Sequence, residues 1–340
     1  MTVYRQNDRS SAHANAMACL CGCCIALLAL AFPIALCAQN VNSYTSGGYT
    51  LYYEEIGRGP ALYILSGGPG EAPDTPYRQI ADSLSRHFTC VLVHQRASGR
   101  SRLVPANATT ITIANYTNDI EALRQHRGDN KIWLLGMSWG GLLAQNYAAQ
   151  YSKRTAGLLL VCSAPPSYKL WNFLYDNQHA RRSAVELDSM ARLQKIFANT
   201  SERELDSLKR ADPAHPKVVA YKAFIWIHVR AMYYDRTKIV RQHFDELFDT
   251  FNFQPIPLID QEVLATRWDI TDRLKKLKIP ALIVYGRQDD QGESTFYLQQ
   301  ECLRGSEMHV IEQCGHEIVE EQPAEFFRIL MAYVRKQKTP

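Results

Sequence analysis

In WLLGMSWGGLLAQNYAAQY, residues 133–151, a lone serine stands between an apolar run and a helix-like segment, with glycines at positions 136, 140 and 141. Glycine weakens regular structure through lost chain entropy, so such a cluster marks a backbone bend that side chains would obstruct. The apolar run from Trp133 reads as a buried strand ending at Gly136, and from Gly140 onward apolar residues recur every three or four positions, as in a helix. Gly136-Met137-Ser138-Trp139-Gly140 is therefore a G-x-S-x-G turn from strand to helix. Such a turn lifts the serine hydroxyl clear of a sheet and aims the amino end of the next helix at it.

The same strand character recurs in ALYILSG (61–67), TCVLVHQ (89–95), GLLLVCS (157–163) and ALIVYGR (281–287). Each carries aliphatic residues on both faces, as strands of a parallel sheet covered on both sides require. Helical spacing follows several of them, as in YRQIADSLSRH (77–87) and YTNDIEALRQHRG (116–128). The alternation breaks at Pro165-Pro166, and from there to about Leu264 the chain is rich in helix formers and aromatics without paired strand runs. A strand signal returns in EMHVIEQCGHE (307–317), before a closing helix in PAEFFRILMAYVRKQ (323–337). The predicted organisation is α/β, a mostly parallel sheet covered by helices. Residues 39–165 form its first part, 166–264 an inserted helical cap acting as a lid, and 265–340 its second part.

A serine hydroxyl needs a base to take its proton, and the base needs a carboxylate to orient it. With the nucleophile on a strand-to-helix turn, the acid and then the histidine follow it, each just past the end of a later strand. Asp289, in IVYGRQDD (283–290), and His316, in VIEQCGHE (310–317), occupy those places, and Asp290 is the competing acid. His94, in LVHQRASGRS (92–101), also ends a strand, but it precedes the serine, which argues against a role as base. The oxyanion of the tetrahedral intermediate needs preorganised donors. The backbone N–H of Trp139 is one, and LSGGPGEAP (65–73) offers the other at Gly68. That loop lacks the Lys-Ser/Thr ending of a phosphate loop, and HEIVE (316–320) lacks the second histidine of a zinc motif. No metal and no cofactor is expected.

SGGPG, HQRASGRS, GMSWGG, GRQD and CGHEIVEEQP, in this order around a helical insertion, resemble the proline iminopeptidase branch of the α/β-hydrolases. The likeness covers nearly everything after the leader. It implies an α/β-hydrolase fold, a serine hydrolase with the triad Ser138, Asp289 and His316, and oxyanion donors at Gly68 and Trp139. It also implies release of small amino-terminal residues, proline preferred, from short peptides. Two loops depart from the family's pattern: HGGPG is Ser66-Gly67-Gly68-Pro69-Gly70 here, and DQRG is His94-Gln95-Arg96-Ala97. Proline iminopeptidases hold the substrate's free amino end with cap glutamates, one of them in a Glu-Asn-His-Tyr-Phe stretch. The nearest match, Arg230-Ala231-Met232-Tyr233-Tyr234, has arginine where the acid would stand, and Glu71 and Asp235 are the candidate substitutes. The expectation is a proline amide cleaved with little preference for a free amine. The competing readings are an esterase or amidase of the same fold on a small acyl substrate, and a ligand-binding protein without turnover, which the complete Ser-Asp-His set disfavours.

A net charge of only +4 over 340 residues, with no long basic run, argues against nucleic acid and leaves a small molecule or short peptide as the partner. After Arg5 and Arg9 the chain is uncharged from Met17 to Ala38. This reads as a signal sequence cleaved after Ala38, giving an exported protein, periplasmic or secreted. The alternative is a membrane anchor at residues 17–38, which is long enough to cross a bilayer and would be the only membrane contact. Five of the nine cysteines lie in this leader. Cys90 and Cys162 read as buried thiols acting as small hydrophobes, and Cys302 with Cys314 as the one pair suited to a bridge. If the leader is cleaved, intact-mass analysis of exported protein will show a chain beginning at Gln39. A retained leader in the membrane fraction would select the anchor.

Overall fold

The apolar runs read as strands are strands, and they lie side by side. In the computed structural model, which describes residues 41–337, the chain opens with β1 (Val41–Ser46) and β2 (Tyr49–Gly57). There follow β3 (Ala61–Leu65), α1 (Thr75–Leu84), β4 (Thr89–His94), α2 (Ile113–Arg127), β5 (Ile132–Met137), α3 (Trp139–Gln150) and β6 (Thr155–Val161). The leader, its cleavage site and its cysteines lie outside the described residues. Among the described residues no helix is long and apolar enough to cross a membrane.

Six helices come next: α4 (Phe173–Ala180), α5 (Ala184–Phe197), α6 (Glu202–Ala211), α7 (Pro216–Arg230), α8 (Arg241–Thr250) and α9 (Pro255–Thr266). The short α10 (Thr271–Leu274) leads into β7 (Ala281–Gly286), α11 (Glu293–Cys302), β8 (Glu307–Ile311), the short α12 (Ile318–Glu321) and α13 (Pro323–Lys336). The sheet runs β1-β2-β4-β3-β5-β6-β7-β8, antiparallel across β1, β2 and β4 and parallel from there on.

Burial explains the pattern. Every residue of β3 and β7 is buried, as strands covered by helices on both faces must be. The helix α3 is buried on almost all sides, which is why its sequence lacks a polar face. The hairpin β1–β2 was not anticipated. Its strands alternate buried with exposed residues and are built largely from Tyr, Thr, Ser and Glu, so no continuous apolar run announces them.

The helical insertion leaves and rejoins the sheet at one neck. There Tyr168 N–H donates to Trp268 O at 2.8 Å, Ile270 N–H to Pro166 O at 3.0 Å, and the Ser167 hydroxyl to Asp269 Oδ2 at 2.7 Å. Helices α5 to α8 have an apolar cluster of their own around Phe197, Tyr221, Phe244 and Phe248. By contrast, α9 buries Ile259 and Val263 in the main core.

The turn at Ser138 is packed to the limit. A Cβ on Gly136 would lie 2.2 Å from Gly140 O, and one on Gly140 would lie 2.2 Å from Leu65 O. Both obstacles are backbone atoms and cannot step aside. Gly140→Ala should therefore cost about 3 kcal/mol through overpacking. Gly128→Ala, which meets open space, should cost only about 1 kcal/mol of left-handed backbone strain. Thermal unfolding of the two variants measures the difference.

Candidate active site

Ser138 sits at φ 51° and ψ −120°, between β5 and α3, and is half-buried. Its own N–H is tied to Val161 O at 3.1 Å, and its carbonyl accepts Ala164 N–H at 2.9 Å, so the neighbouring strand β6 holds the strained turn in place. The hydroxyl faces a cavity of about 480 Å³ that His316 also lines.

His316 lies in the loop after β8, and Asp289 in the loop after β7. The structure brings them together: His316 Nδ1 is 2.9 Å from Asp289 Oδ1. Asp289 Oδ1 also accepts the Gln291 N–H at 2.9 Å, which orients the carboxylate. Asp290, the competing acid, is close as well, its Oδ1 3.3 Å from the same Nδ1. Both aspartate side chains are 0% exposed. Burial opposes the charge on Asp289, but His316 outweighs it and holds the carboxyl below its usual range. Burial likewise disfavours the imidazolium, yet the Asp289 carboxylate, joined by Asp290 whenever that is ionised, raises the His316 pKa. With Nδ1 tied down, Nε2 is the nitrogen left for a proton from serine.

Both residues expected as oxyanion donors sit near the serine in the chain or the cavity: Trp139 follows it directly, and Gly68 lines the same cavity. Trp139 N–H opens α3, and Gly68, at φ 103°, turns in the SGGPG loop so tightly that a Cβ would meet Gly70 N at 2.7 Å. The preceding Gly67 N–H is already committed, donating to the Tyr77 hydroxyl at 2.8 Å. Tyr77 in turn donates to Glu71 Oε2 at 2.7 Å. Gln95 braces this region, accepting from Trp139 Nε1 at 2.9 Å and donating to Ser66 O at 2.8 Å and Ser66 Oγ at 3.0 Å.

Lid segments reach all the loops of the site. Asn252 N–H donates to Gly70 O at 3.1 Å, and Met232 O accepts His316 N–H at 2.8 Å. From α4, Gln178 Nε2 donates to Asp290 Oδ2 at 2.6 Å and Asn177 Nδ2 to Asp290 O at 2.9 Å. The segment 230–234, read as the remnant of an amine anchor, is thus a brace for the histidine loop.

The two candidate amine-binding residues part company here. Glu71 lines the cavity beside Ser138, and burial pushes its carboxyl up to about 7, with Tyr77 opposing. Asp235 does not line it: its carboxylate caps its own turn, accepting Thr237 N–H at 3.0 Å, because Glu321 pins its backbone N–H at 2.8 Å. Three further carboxylates face the cavity: Glu317 beside His316, and Glu202 and Asp260 from the lid. Burial pushes Glu317 up to about 8, His316 opposing. Sequence reasoning missed Glu202 and Asp260 because no short motif surrounds them. Glu317 adjoins His316 in the sequence, and that adjacency was the available signal.

The pairing of Cys302 with Cys314 needs correction, while Cys90 and Cys162 are buried free thiols as expected. Cys302 and Cys314 are free and buried: Cys302 closes α11 in the main core, while the Cys314 thiol turns to Gly315 O at 3.6 Å. Cys162 is more than a core filler, since its Sγ, a carboxylate oxygen of Asp289 and a ring nitrogen of His316 lie within 4.8 Å of one another. Among the described residues this is the one cluster with donor atoms close enough for a metal, and its imidazole–carboxylate hydrogen bond already engages two of its members. His94 is remote in role, its Nε2 2.9 Å from the buried Glu54 Oε1 and its Nδ1 accepting Arg100 N–H at 3.3 Å.

A strained serine between a parallel strand and a buried helix, facing a histidine–aspartate pair beneath an inserted lid, defines an α/β-hydrolase. The α/β-hydrolase fold family matches residues 60–323, and the chain belongs to that family. Within it the chain is similar to the proline iminopeptidase of Lactobacillus crispatus (strain ST1), 25% identical over 303 residues, which cover 84% of this chain and 95% of that protein. It is also similar to the 2-hydroxy-6-oxo-6-phenylhexa-2,4-dienoate hydrolase of Comamonas testosteroni, 22% identical over 301 residues, 85% of this chain and 92% of the other. The solved proline iminopeptidase of Mycobacterium smegmatis superposes with a TM-score of 0.62 at 20% identity, covering 87% of this chain and 98% of that one.

The two aspartates should separate on mutation. Asp289→Asn should lower kcat by roughly three to four powers of ten, as when a triad histidine is misoriented, and Asp290→Asn by far less. Steady-state kinetics of the pair checks the ranking.

Proposed function

We propose that the protein is an exported serine hydrolase of the proline iminopeptidase kind, releasing a small amino-terminal residue, proline preferred, from short peptides. Ser138 is the nucleophile, His316 the base, Asp289 its orienting acid, and the N–H groups of Gly68 and Trp139 the oxyanion donors. The uncharged run from Met17 to Ala38 supports export.

The observation that carries the substrate reading is the Glu71 carboxylate beside the nucleophile. A methyl group on Gly67 would lie 2.7 Å from Glu71 Oε2 and 3.5 Å from Ser138 Cβ, so the two side chains border one small space. A carboxylate held there by a single neutral hydroxyl, with no cation beside it, is costly under a lid, and when ionised it opposes the oxyanion that forms when Ser138 attacks. A substrate ammonium group offsets both effects, and Glu317 adds a second partner for it. A neutral ester leaves the carboxylates unpaired. The reading departs from the sequence-based expectation of little amine preference because the carboxylates come from Glu71 and Glu317 in the core loops, joined by Glu202 and Asp260 from the lid.

The chemistry follows in order. Ser138 Oγ bonds to the scissile carbonyl carbon while His316 Nε2 takes its proton, and the carbonyl oxygen becomes an oxyanion at Gly68 and Trp139. His316 then gives the proton to the leaving amine, and water repeats the sequence to free the acyl residue. The aromatic walls at Phe224, Phe248, Phe251 and Phe253 suit a proline ring. Those same walls favour the second reading, an esterase or amidase acting on a small acyl group.

Two measurements test this. Ser138→Ala should abolish both turnover and fluorophosphonate labelling; an unlabelled, folded native protein would refute the serine mechanism. The kcat/KM for a free-amine prolyl amide should exceed that for its amino-blocked analogue by about one to two powers of ten, the worth of a charged hydrogen bond, and Glu71→Gln should narrow that ratio. Equal values for the two substrates would leave the esterase reading standing.

A further inference from the structure

The acid loop holds one carboxylate more than a triad uses. His316 Nδ1 has a single proton to share, and it goes to Asp289 Oδ1 at 2.9 Å. Asp290 Oδ1, 3.3 Å from the same nitrogen, makes no hydrogen bond, and neither does Asp289 Oδ2. These are two carboxylate oxygens without a partner on side chains that are 0% exposed. Two adjacent carboxylates shut away from water cannot both stay ionised against one imidazole.

We propose that Asp290 is a positioning residue: it carries a proton in the resting enzyme, donates it to the Asp289 carboxylate, and is kept in that state by the lid helix α4. The proposal rests on the triad assigned above.

The surroundings decide which aspartate keeps the proton. Asp289 has the His316 N–H, the Gln291 N–H and the Cys162 thiol nearby, all of which favour its anion. Asp290 has the Gln178 amide on Oδ2, and nothing donates to Oδ1. The charged and titratable groups facing Asp290 are Asp289 on its own loop, His316 and Glu317 on the histidine loop, and Arg182 just past α4. Burial drives the Asp290 carboxyl up to about 7, with His316 opposing and Asp289 adding to the rise. A proton on Asp290 Oδ1, aimed at Asp289, is the arrangement that gives both unpartnered oxygens a hydrogen bond.

The link to the lid is burial: the Gln178 donor by itself favours the Asp290 anion, and it is the exclusion of water beneath α4 that opposes it. Gln178 and Asn177 of α4 hold the Asp290 carboxyl and carbonyl, while Leu174, Tyr175 and Gln178 of the same helix line the substrate cavity. If α4 lifts, water reaches Asp290 and it ionises. A second negative charge then faces His316 and favours the imidazolium, which cannot accept the serine proton. With α4 seated, Asp290 is neutral and His316 is freer to act as base. Filling of the cavity and the charge beside the histidine are coupled through one helix.

Infrared spectra and pH–rate profiles of the full-length protein test this. Wild type near neutral pH should show a protonated-carboxyl band that Asp290→Asn removes. That variant keeps a neutral group with an N–H donor in the same place. The acid limb of its profile should stay put, since one full unit is the signature of a lost charge interaction. Gln178→Leu, which removes a donor favouring the anion while keeping α4 over the site, should retain the band and leave the acid limb in place, and loss of the band in that variant would overturn the proposal. Absence of an Asp290-dependent band, or an acid limb that falls by about a unit or more in Asp290→Asn, would show a charged Asp290 and overturn the proposal. The band is read on the protein whether or not it hydrolyses anything, so failure of the hydrolase assignment is told apart by loss of Ser138 labelling.

Discussion

The backbone turn at Ser138 is the constraint on which the other features depend. It brings α3 so close to β3 and β5 that Gly136 and Gly140 touch bare carbonyls, each 2.2 Å from where a Cβ would stand. That closeness sets the serine at the carboxyl edge of the parallel strands, where the loops after β3, β7 and β8 also end. Ser138, Gly68, Asp289 and His316 can therefore border one site although they lie far apart along the chain. Hydrogen bonds from β6 hold the strained serine, so its backbone conformation is a property of the sheet.

Over this platform the lid is a structural member as well as a cover. Asn252 reaches the oxyanion loop, Met232 the histidine loop, and Asn177 with Gln178 the acid loop. The altered loops are equally well braced. Ser66 is gripped by Gln95, and His94 pairs with Glu54, whose carboxyl that contact and then Arg78 hold down at about 2. The enclosed space that results is rich in carboxylates, and burial raises the pKa of Glu71 and Glu317 beside the serine. A cationic group is what such a space lacks.

The sequence by itself determined the core strands, the buried helix α3, the helical insertion and the positions of Ser138, Asp289 and His316. Each rests on local physics: apolar periodicity, the steric demand of a sharp turn, and the rule that catalytic groups follow strand ends. The hairpin β1–β2 escaped because its strands are half exposed and largely polar. Tertiary structure alone decided which carboxylates line the cavity. Glu71 points into the cavity because Tyr77, on another element, holds it there, whereas Asp235 is turned aside because Glu321 claims its backbone. It also decided that Cys302 and Cys314 stay apart, that Cys162 sits against the triad acid, and that Asp290 shares its histidine with Asp289. Those outcomes depend on contacts between residues far apart in the chain, and a residue's orientation in a fold is set by its neighbours in space.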